Sequence, residues 1–246
     1  MNLIRLPSTP STNDFLKQLC KKQKLENFTI VTTENQTRGK GQRENIWRVE
    51  PNKNLTFSIL YKNYHNLENS VFDLNIAVCV SIIEVLEKIK VPNLYIKWSN
   101  DILSEQKKIA GILIENTISA QRFIWSVIGI GLNVNQTDFS FIPNASSIKN
   151  ITGKEFEKDD LMFGITKRLQ ENVTLISEGN SQILWTKYHN FLFRKDIPSV
   201  FELPDKTKFI GVIKRVLKNG KLQILIDNHA LKEFGLKEVR MMYGTF

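Results

Sequence analysis

Apolar positions along this chain change period several times, and each change marks an element. Ser11 and Thr12 are good helix N-caps, and behind them Phe15, Leu16 and Leu19 recur at helical spacing, which predicts a short first helix. Phe28 to Thr33 is short and β-branched, as a strand should be, and runs into a polar, glycine-containing stretch, Glu34 to Arg48, that reads as a loop. Leu55 to Leu60 returns as a strand. Val71 to Ile89 places apolar residues three and four apart and is the longest helix candidate. Leu94 to Trp98 and Ile109 to Ile118 read as strands around a loop, Ser99 to Lys108, and Phe123 to Val134 supplies another strand rich in Ile and Val.

Helical spacing resumes at Asp160 to Ser177 and Ser181 to Phe193, after a polar stretch containing Pro143 and Gly153, and these helices are expected to cover one sheet face. From Pro198 the pattern turns to short strands, with Lys218-Asn219-Gly220-Lys221 as a turn between Gly211 to Leu217 and Leu222 to Ile226. The expected class is therefore α+β: a mixed, largely antiparallel sheet covered by helices, followed by a small β-barrel-like tail. On this switch of period the chain divides into residues 1–194 and 195–246.

Composition narrows the possibilities. With 246 residues and 41% hydrophobic content the chain can bury an ordinary core. No apolar run approaches the roughly 18 residues of a membrane span, and the first ten residues lack a secretory h-region, so the expectation is a cytoplasmic protein without membrane association. Cys20 and Cys79 are far apart, Cys79 lies within an apolar run, and His65, His189 and His229 have no ligand-spaced companions. A disulfide framework and a protein-held zinc site are not expected. The net charge of +9 favours anionic partners without choosing among them.

Three segments carry chemistry. The loop Gln36-Thr37-Arg38-Gly39-Lys40-Gly41-Gln42-Arg43 joins two glycines to three cations, and ends near Trp47. Glycine lets backbone amides approach a phosphate closely, and Lys and Arg neutralise its charge. The spacing is not that of a P-loop. The second segment, Lys97-Trp98-Ser99-Asn100-Asp101 followed by Lys107-Lys108-Ile109-Ala110-Gly111, sets Lys108 at the threshold of an apolar strand, where a cation can be fixed beside a reacting centre, while Lys107 faces water. The third, Gly129-Ile130-Gly131-Leu132-Asn133-Val134, ends a strand with two small residues and an amide suited to a narrow pocket or to close packing.

In this order and spacing the three segments resemble the catalytic domain of a biotin–protein ligase, also called biotin–acetyl-CoA-carboxylase ligase. The resemblance runs from Ser11 to the C-terminus, supported beyond Pro143 by Ala145-Ser146-Ser147-Ile148 and the β-rich tail. It implies the biotin/lipoate ligase-like catalytic fold with a C-terminal SH3-like β-barrel. It also implies that Ser11, Thr12, Asn13, Gln36, Gly39, Lys40, Gly41, Gln42, Lys108, Gly111, Gly129 and Gly131 bind biotin, and that Arg43, Trp47, Asn100, Asp101 and Asn133 meet the nucleotide. Lys108, Lys40 and Arg43 would be catalytic, with ATP as co-substrate and Mg2+ near Asp101.

The implied reaction makes biotinyl-5'-AMP and passes biotin to a lysine of a biotin carboxyl carrier protein, of acetyl-CoA carboxylase or a related carboxylase. The Ser11-Thr12-Asn13 motif begins too near the start for a preceding DNA-binding domain, so no DNA partner is expected, and a homodimer through a sheet edge stays open. The sequence departs from the family loop, which often reads GRGRxGRxW. Lys40 and Gln42 stand in place of arginines, Glu44 and Asn45 in place of Gly-Arg, and Ser99 replaces a usual proline. Gln42 lacks a guanidinium's cationic fork, which weakens the expected hold on an adenylate. A lipoate–protein ligase shares the fold and chemistry but fits the Gln36 to Trp47 and Lys97 to Gly111 segments less well. A nucleic-acid-binding protein would need aromatic residues interleaved with the basic ones, and they are not.

Overall fold

The computed structural model describes residues 2–42, 45–62, 71–119, 122–142, 144–226 and 230–242. In chain order the elements are β1 (Leu3–Thr9), α1 (Thr12–Lys22), β2 (Ile30–Gln36), β3 (Leu55–Tyr61), α2 (Val71–Lys88), β4 (Leu94–Lys97), β5 (Asp101–Ser104), β6 (Lys107–Ser119) and β7 (Arg122–Leu132). They continue with α3 (Ile148–Thr152), α4 (Lys158–Ser177), α5 (Ser181–Asn190), β8 (Pro198–Glu202), β9 (Lys208–Val216), β10 (Leu222–Ile226), β11 (Ala230–Phe234) and β12 (Arg240–Met242). The first seven strands form one sheet in the order β1-β2-β3-β7-β6-β5-β4. Only the β1/β2 pair is parallel, so the sheet is mixed and largely antiparallel, as the sequence led us to expect.

Alternation along β3 assigns the two faces. Leu55, Phe57, Ile59 and Tyr61 point into the larger core with α2, α4 and α5, whereas Leu60 joins a smaller core with Leu16 of α1, Val31 and Val127. Helix α2 lies between the sheet and α4/α5, which is why Ile76 to Val80 is buried without a polar stripe and why burial pushes the Cys79 thiol pKa up. The opposite face is covered only in part by α1. Its uncovered portion, at the α1 N-terminus, is where the cleft described below opens.

Residues from Pro198 onward form a second, antiparallel sheet in the order β11-β10-β9-β8-β12. The expected turn at residues 218–221 joins β9 to β10, with Gly220 at φ +80° and its carbonyl accepting the Trp98 indole N–H at 3.0 Å. The order is linear: among the described residues β11 and β12 do not pair, so the strands are those expected but the barrel closure is not made. Two strands and a helix had no counterpart in the sequence reading. β1 carries Pro7 and sits at a sheet edge, where a missing N–H is tolerated. β5 is only four residues long and divides the stretch expected to be a loop between Ser99 and Lys108, and α3 is a single short turn.

His189 ties α5 to the second sheet. Its Nε2 accepts the Val216 N–H at 2.9 Å, so Nδ1 carries the proton and donates to the Trp185 carbonyl at 2.8 Å. Burial lowers its pKa, and the folded state therefore binds fewer protons than the unfolded chain. Stability should fall as pH drops from about 6.5 towards the lowered folded-state value. Urea unfolding at pH 7.5 and 5.5 checks this: the wild type is expected to lose stability across that interval and His189→Gln to lose less, whereas equal losses would contradict it.

Candidate active site

Two adjacent rungs of the main sheet form the floor of a cleft of about 360 Å³. In the first, Ser58 of β3, Gly129 of β7 and Leu113 of β6 are in register. In the second, Thr56, Gly131, Gly111 and Asp101 run in register across β3, β7, β6 and β5. Cross-strand partners share a face, so three bare glycines make a groove in a surface that side chains would otherwise fill.

The first rung ends in a polar cluster at the start of α1. The Ser11 hydroxyl caps the helix by accepting the Asp14 N–H at 3.3 Å. Gln36 Oε1 accepts from the Thr12 amide at 3.0 Å and its hydroxyl at 3.2 Å, and Ser58 Oγ bridges Thr12 Oγ1 at 2.7 Å and Asn13 Oδ1 at 2.6 Å. A Cβ on Gly129 would lie 2.4 Å from Asn13 Oδ1, so glycine is needed for Asn13 to reach the floor.

The glycine-rich loop folds back over the second rung as a small hairpin. Lys40 and Ile46 form an antiparallel bridge, Gly41 donates to Asn45 O at 2.6 Å, and Trp47 donates to Gly39 O at 2.9 Å. A Cβ on Gly39 would sit 2.3 Å from the Trp47 carbonyl, so close approach of the two strands fixes this residue. The Trp47 indole lies across Gly131 and Gly111, and its Nε1, like Thr56 Oγ1, is buried with no partner among the described residues. Arg43 and Glu44 lie outside the described residues.

The far end of the second rung is charged. Lys108 Nζ is 2.6 Å from Asp101 Oδ1 and 5.5 Å from the centroid of the Trp47 ring. A β-bulge between Ile102 and Leu103 offsets the pairing here, and the segment after Phe141 runs beside Lys108, its backbone donating to Asn144 O and accepting from Ser146 N. Asn100 is pinned through Nδ2 to Ile112 O at 2.6 Å. The preceding carbonyl of Ser99 accepts from buried Asn75 at 2.8 Å and from the Tyr188 hydroxyl at 3.3 Å, so α2 and α5 hold this turn from behind. The Ser99 hydroxyl donates to Gln42 Oε1 at 3.4 Å and thereby links the turn to the loop.

Fourteen residues singled out in the sequence line the cleft together: Ser11, Thr12, Asn13, Gln36, Lys40, Gly41, Gln42, Trp47, Asn100, Asp101, Lys108, Gly111, Gly129 and Gly131. Gly39 lies behind this wall. Asn133 is not brought to the cleft; it is buried, and its Nδ2 holds the Ser146 carbonyl at 2.9 Å, anchoring the segment beside Lys108. Sequence reasoning missed Thr56 and Ser58, whose signal is the small polar pair at alternate positions of an otherwise apolar strand. It also missed Leu236, Val239, Arg240 and Met241, which bring the second sheet to the cleft rim and have no local signature.

A groove that is polar at one end, bare in the middle and charged at the other has the form of a binding cleft for an extended polar ligand. Comparison with known proteins gives the family. A profile of the Biotin/lipoate A/B protein ligase family matches residues 6–133, and the chain belongs to this family. The bifunctional ligase/repressor BirA of Escherichia coli is 27% identical over 227 residues, 90% of this chain and 68% of its own. BirA of Bacillus spizizenii is 27% identical over 170 residues, 65% of this chain and 51% of its own, so the chain spans about half the length of that relative. Among solved structures, the biotin protein ligase from Aquifex aeolicus in complex with biotin and ATP has a TM-score of 0.81 at 25% identity, covering 99% of both chains.

The placement of Trp47 has a direct check. A methyl at residue 131 would fall 2.3 Å from the indole, so Gly131→Ala is expected to expel Trp47 from the floor. The emission of the chain's four tryptophans should shift to the red and gain quenching by iodide. An unchanged spectrum in a folded variant would show that the indole does not rest on this glycine.

Proposed function

We propose that this chain activates biotin with ATP to biotinyl-5'-AMP and transfers the biotin to a lysine of a biotin carboxyl carrier protein, of acetyl-CoA carboxylase or a related carboxylase. The observation that carries this reading is the groove itself: Thr12, Asn13 and Gln36 offer hydrogen bonds at one end, and Lys108 stands beside Asp101 at the other. A biotin laid along it places its ureido ring in the polar end and its carboxylate towards Lys108. The fold's likeness to the Aquifex ligase, solved with biotin and ATP, supports the same two ligands here.

In the first step a carboxylate oxygen attacks the α-phosphorus of ATP, forming the P–O bond as the bond to pyrophosphate breaks. Charge accumulates on the phosphoryl oxygens, and fixed cations that need not reorganise stabilise it best. Lys108, held by Asp101 at the strand threshold, is such a cation, and we also assign Lys40 and Arg43 of the loop to the phosphoryl charge once nucleotide is bound. Among the described residues no cluster of three acidic, His or Cys side chains could cage a metal. Asp101 alone fits Mg2+ that arrives on the nucleotide's phosphates, where the ion would neutralise charge on the oxygens. The product is a mixed anhydride open to hydrolysis, and a loop folding over it keeps water away until the acceptor lysine attacks the acyl carbonyl and AMP departs.

Biotin-dependent exchange of labelled pyrophosphate into ATP tests the first step. Exchange is expected with biotin and not with lipoate or octanoate. Preference for lipoate would move the chain to the other branch of the family, and no exchange with any acid would sink the proposal. Lys108→Ala is expected to lower the rate by roughly 10²–10³-fold, the order seen on removing one preorganised charge stabiliser. A near-normal rate would remove Lys108 from the reaction.

A further inference from the structure

The polar end of the cleft is wired to the glycine-rich loop by a chain of charged groups. Asn13 donates from Nδ2 to Glu115 Oε2 at 2.8 Å, and the other oxygen of Glu115 meets Lys17 Nζ at 2.6 Å. Lys17 also lies 2.9 Å from Asp14 Oδ1, and the second Asp14 oxygen is 2.6 Å from Lys40 Nζ. Asp14 and Lys17 are one turn apart on α1, so the helix fixes their pairing whatever the loop does. The Asp14 carboxyl sits below the usual carboxylate range: burial pushes it up, and Lys40 and Lys17 together outweigh that.

Two features make the contact with Lys40 one that can be given up. The Lys40 side chain is 52% exposed, and an ion pair in water is weak, so an incoming polyphosphate competes with it easily. When Lys40 leaves, Asp14 still faces Lys17, and no carboxylate is stranded without a partner. We propose that Asp14 is a positioning residue that parks the Lys40 ammonium beside α1 in the unliganded protein and yields it to the phosphates of the bound nucleotide. This rests on the ligase reading, in which the loop closes over an anionic intermediate. Asp14 then competes with nucleotide for one cation, while Thr12, Asn13 and Gln36 at the polar end make hydrogen bonds in which Lys40 has no part.

The test is a double-mutant cycle. Asp14→Asn is expected to lower the KM for ATP in biotin-dependent pyrophosphate exchange by roughly two- to fivefold, the range for one exposed ion pair. The KM for biotin should not follow, and in a Lys40→Gln background Asp14→Asn should leave the KM for ATP where it was. A raised or unchanged KM for ATP, or the same change in both backgrounds, overturns the proposal, since a purely structural role for Asp14 predicts no dependence on Lys40. Trypsin cleavage of the ligand-free protein after Arg38 and Lys40 gives a readout that needs no activity. Faster cleavage in Asp14→Asn supports the parked contact, and equal rates overturn it. Faster cleavage in a protein that shows no exchange would sink the ligase reading and leave the contact standing.

Discussion

The register of β3, β7, β6 and β5 is the constraint on which the rest of this structure depends. It brings Gly129 beside Ser58 and Leu113, and Gly131 and Gly111 into one rung between Thr56 and Asp101. A slip of one residue on β7 would send Ile128 and Ile130 to the cleft and bury two glycines in the core, so the packing of α2 against the sheet enforces the groove. The same large core that stabilises the domain therefore shapes the binding surface on its other side. Asn13 and Trp47 reach the floor only because the glycines leave room for them.

Rigid support behind the reactive end follows from the same packing. Asn75 and Tyr188, both in the core between α2 and α5, converge on the Ser99 carbonyl, and the Trp98 indole bonds to Gly220 in the second sheet. The turn that presents Asn100 and Asp101 is thus held by three distant parts of the chain. Lys108 is steadied in turn by Asp101 and by the backbone of the segment that Asn133 anchors. By contrast, among the described residues the glycine-rich loop rests on a few backbone bonds, the Trp47 ring, the Ser99–Gln42 hydrogen bond and the pairing of Lys40 with Asp14. A fixed cation at one end and a lightly held loop above it suit the proposed reaction, whose product must be both made and sheltered.

Much of this was legible in the sequence where one periodicity ran long enough. Val71 to Ile89 and Asp160 to Ser177 read as helices because a buried stripe repeats over several turns, and the structure has helices at Val71–Lys88 and Lys158–Ser177. Short elements escaped: β5 offers four residues, too few to establish alternation, and β1 is an edge strand with little buried surface. The glycines and charged residues were conspicuous as motifs, yet only the strand register reveals that three glycines share one floor. Asn133 shows the converse, since an amide after a glycine pair reads like a pocket residue and instead serves as a buried strut. The cleft's rim from Leu236 to Met241 lay beyond local reading because it is made by a tertiary contact between two sheets.

A crystal soaked with biotin alone tests the proposed orientation of the ligand in the groove. Difference density is expected with the ureido ring against Thr12, Asn13 and Gln36 and the carboxylate directed along the Gly131–Gly111 rung towards Lys108. A reversed molecule, or density outside the groove, would contradict it.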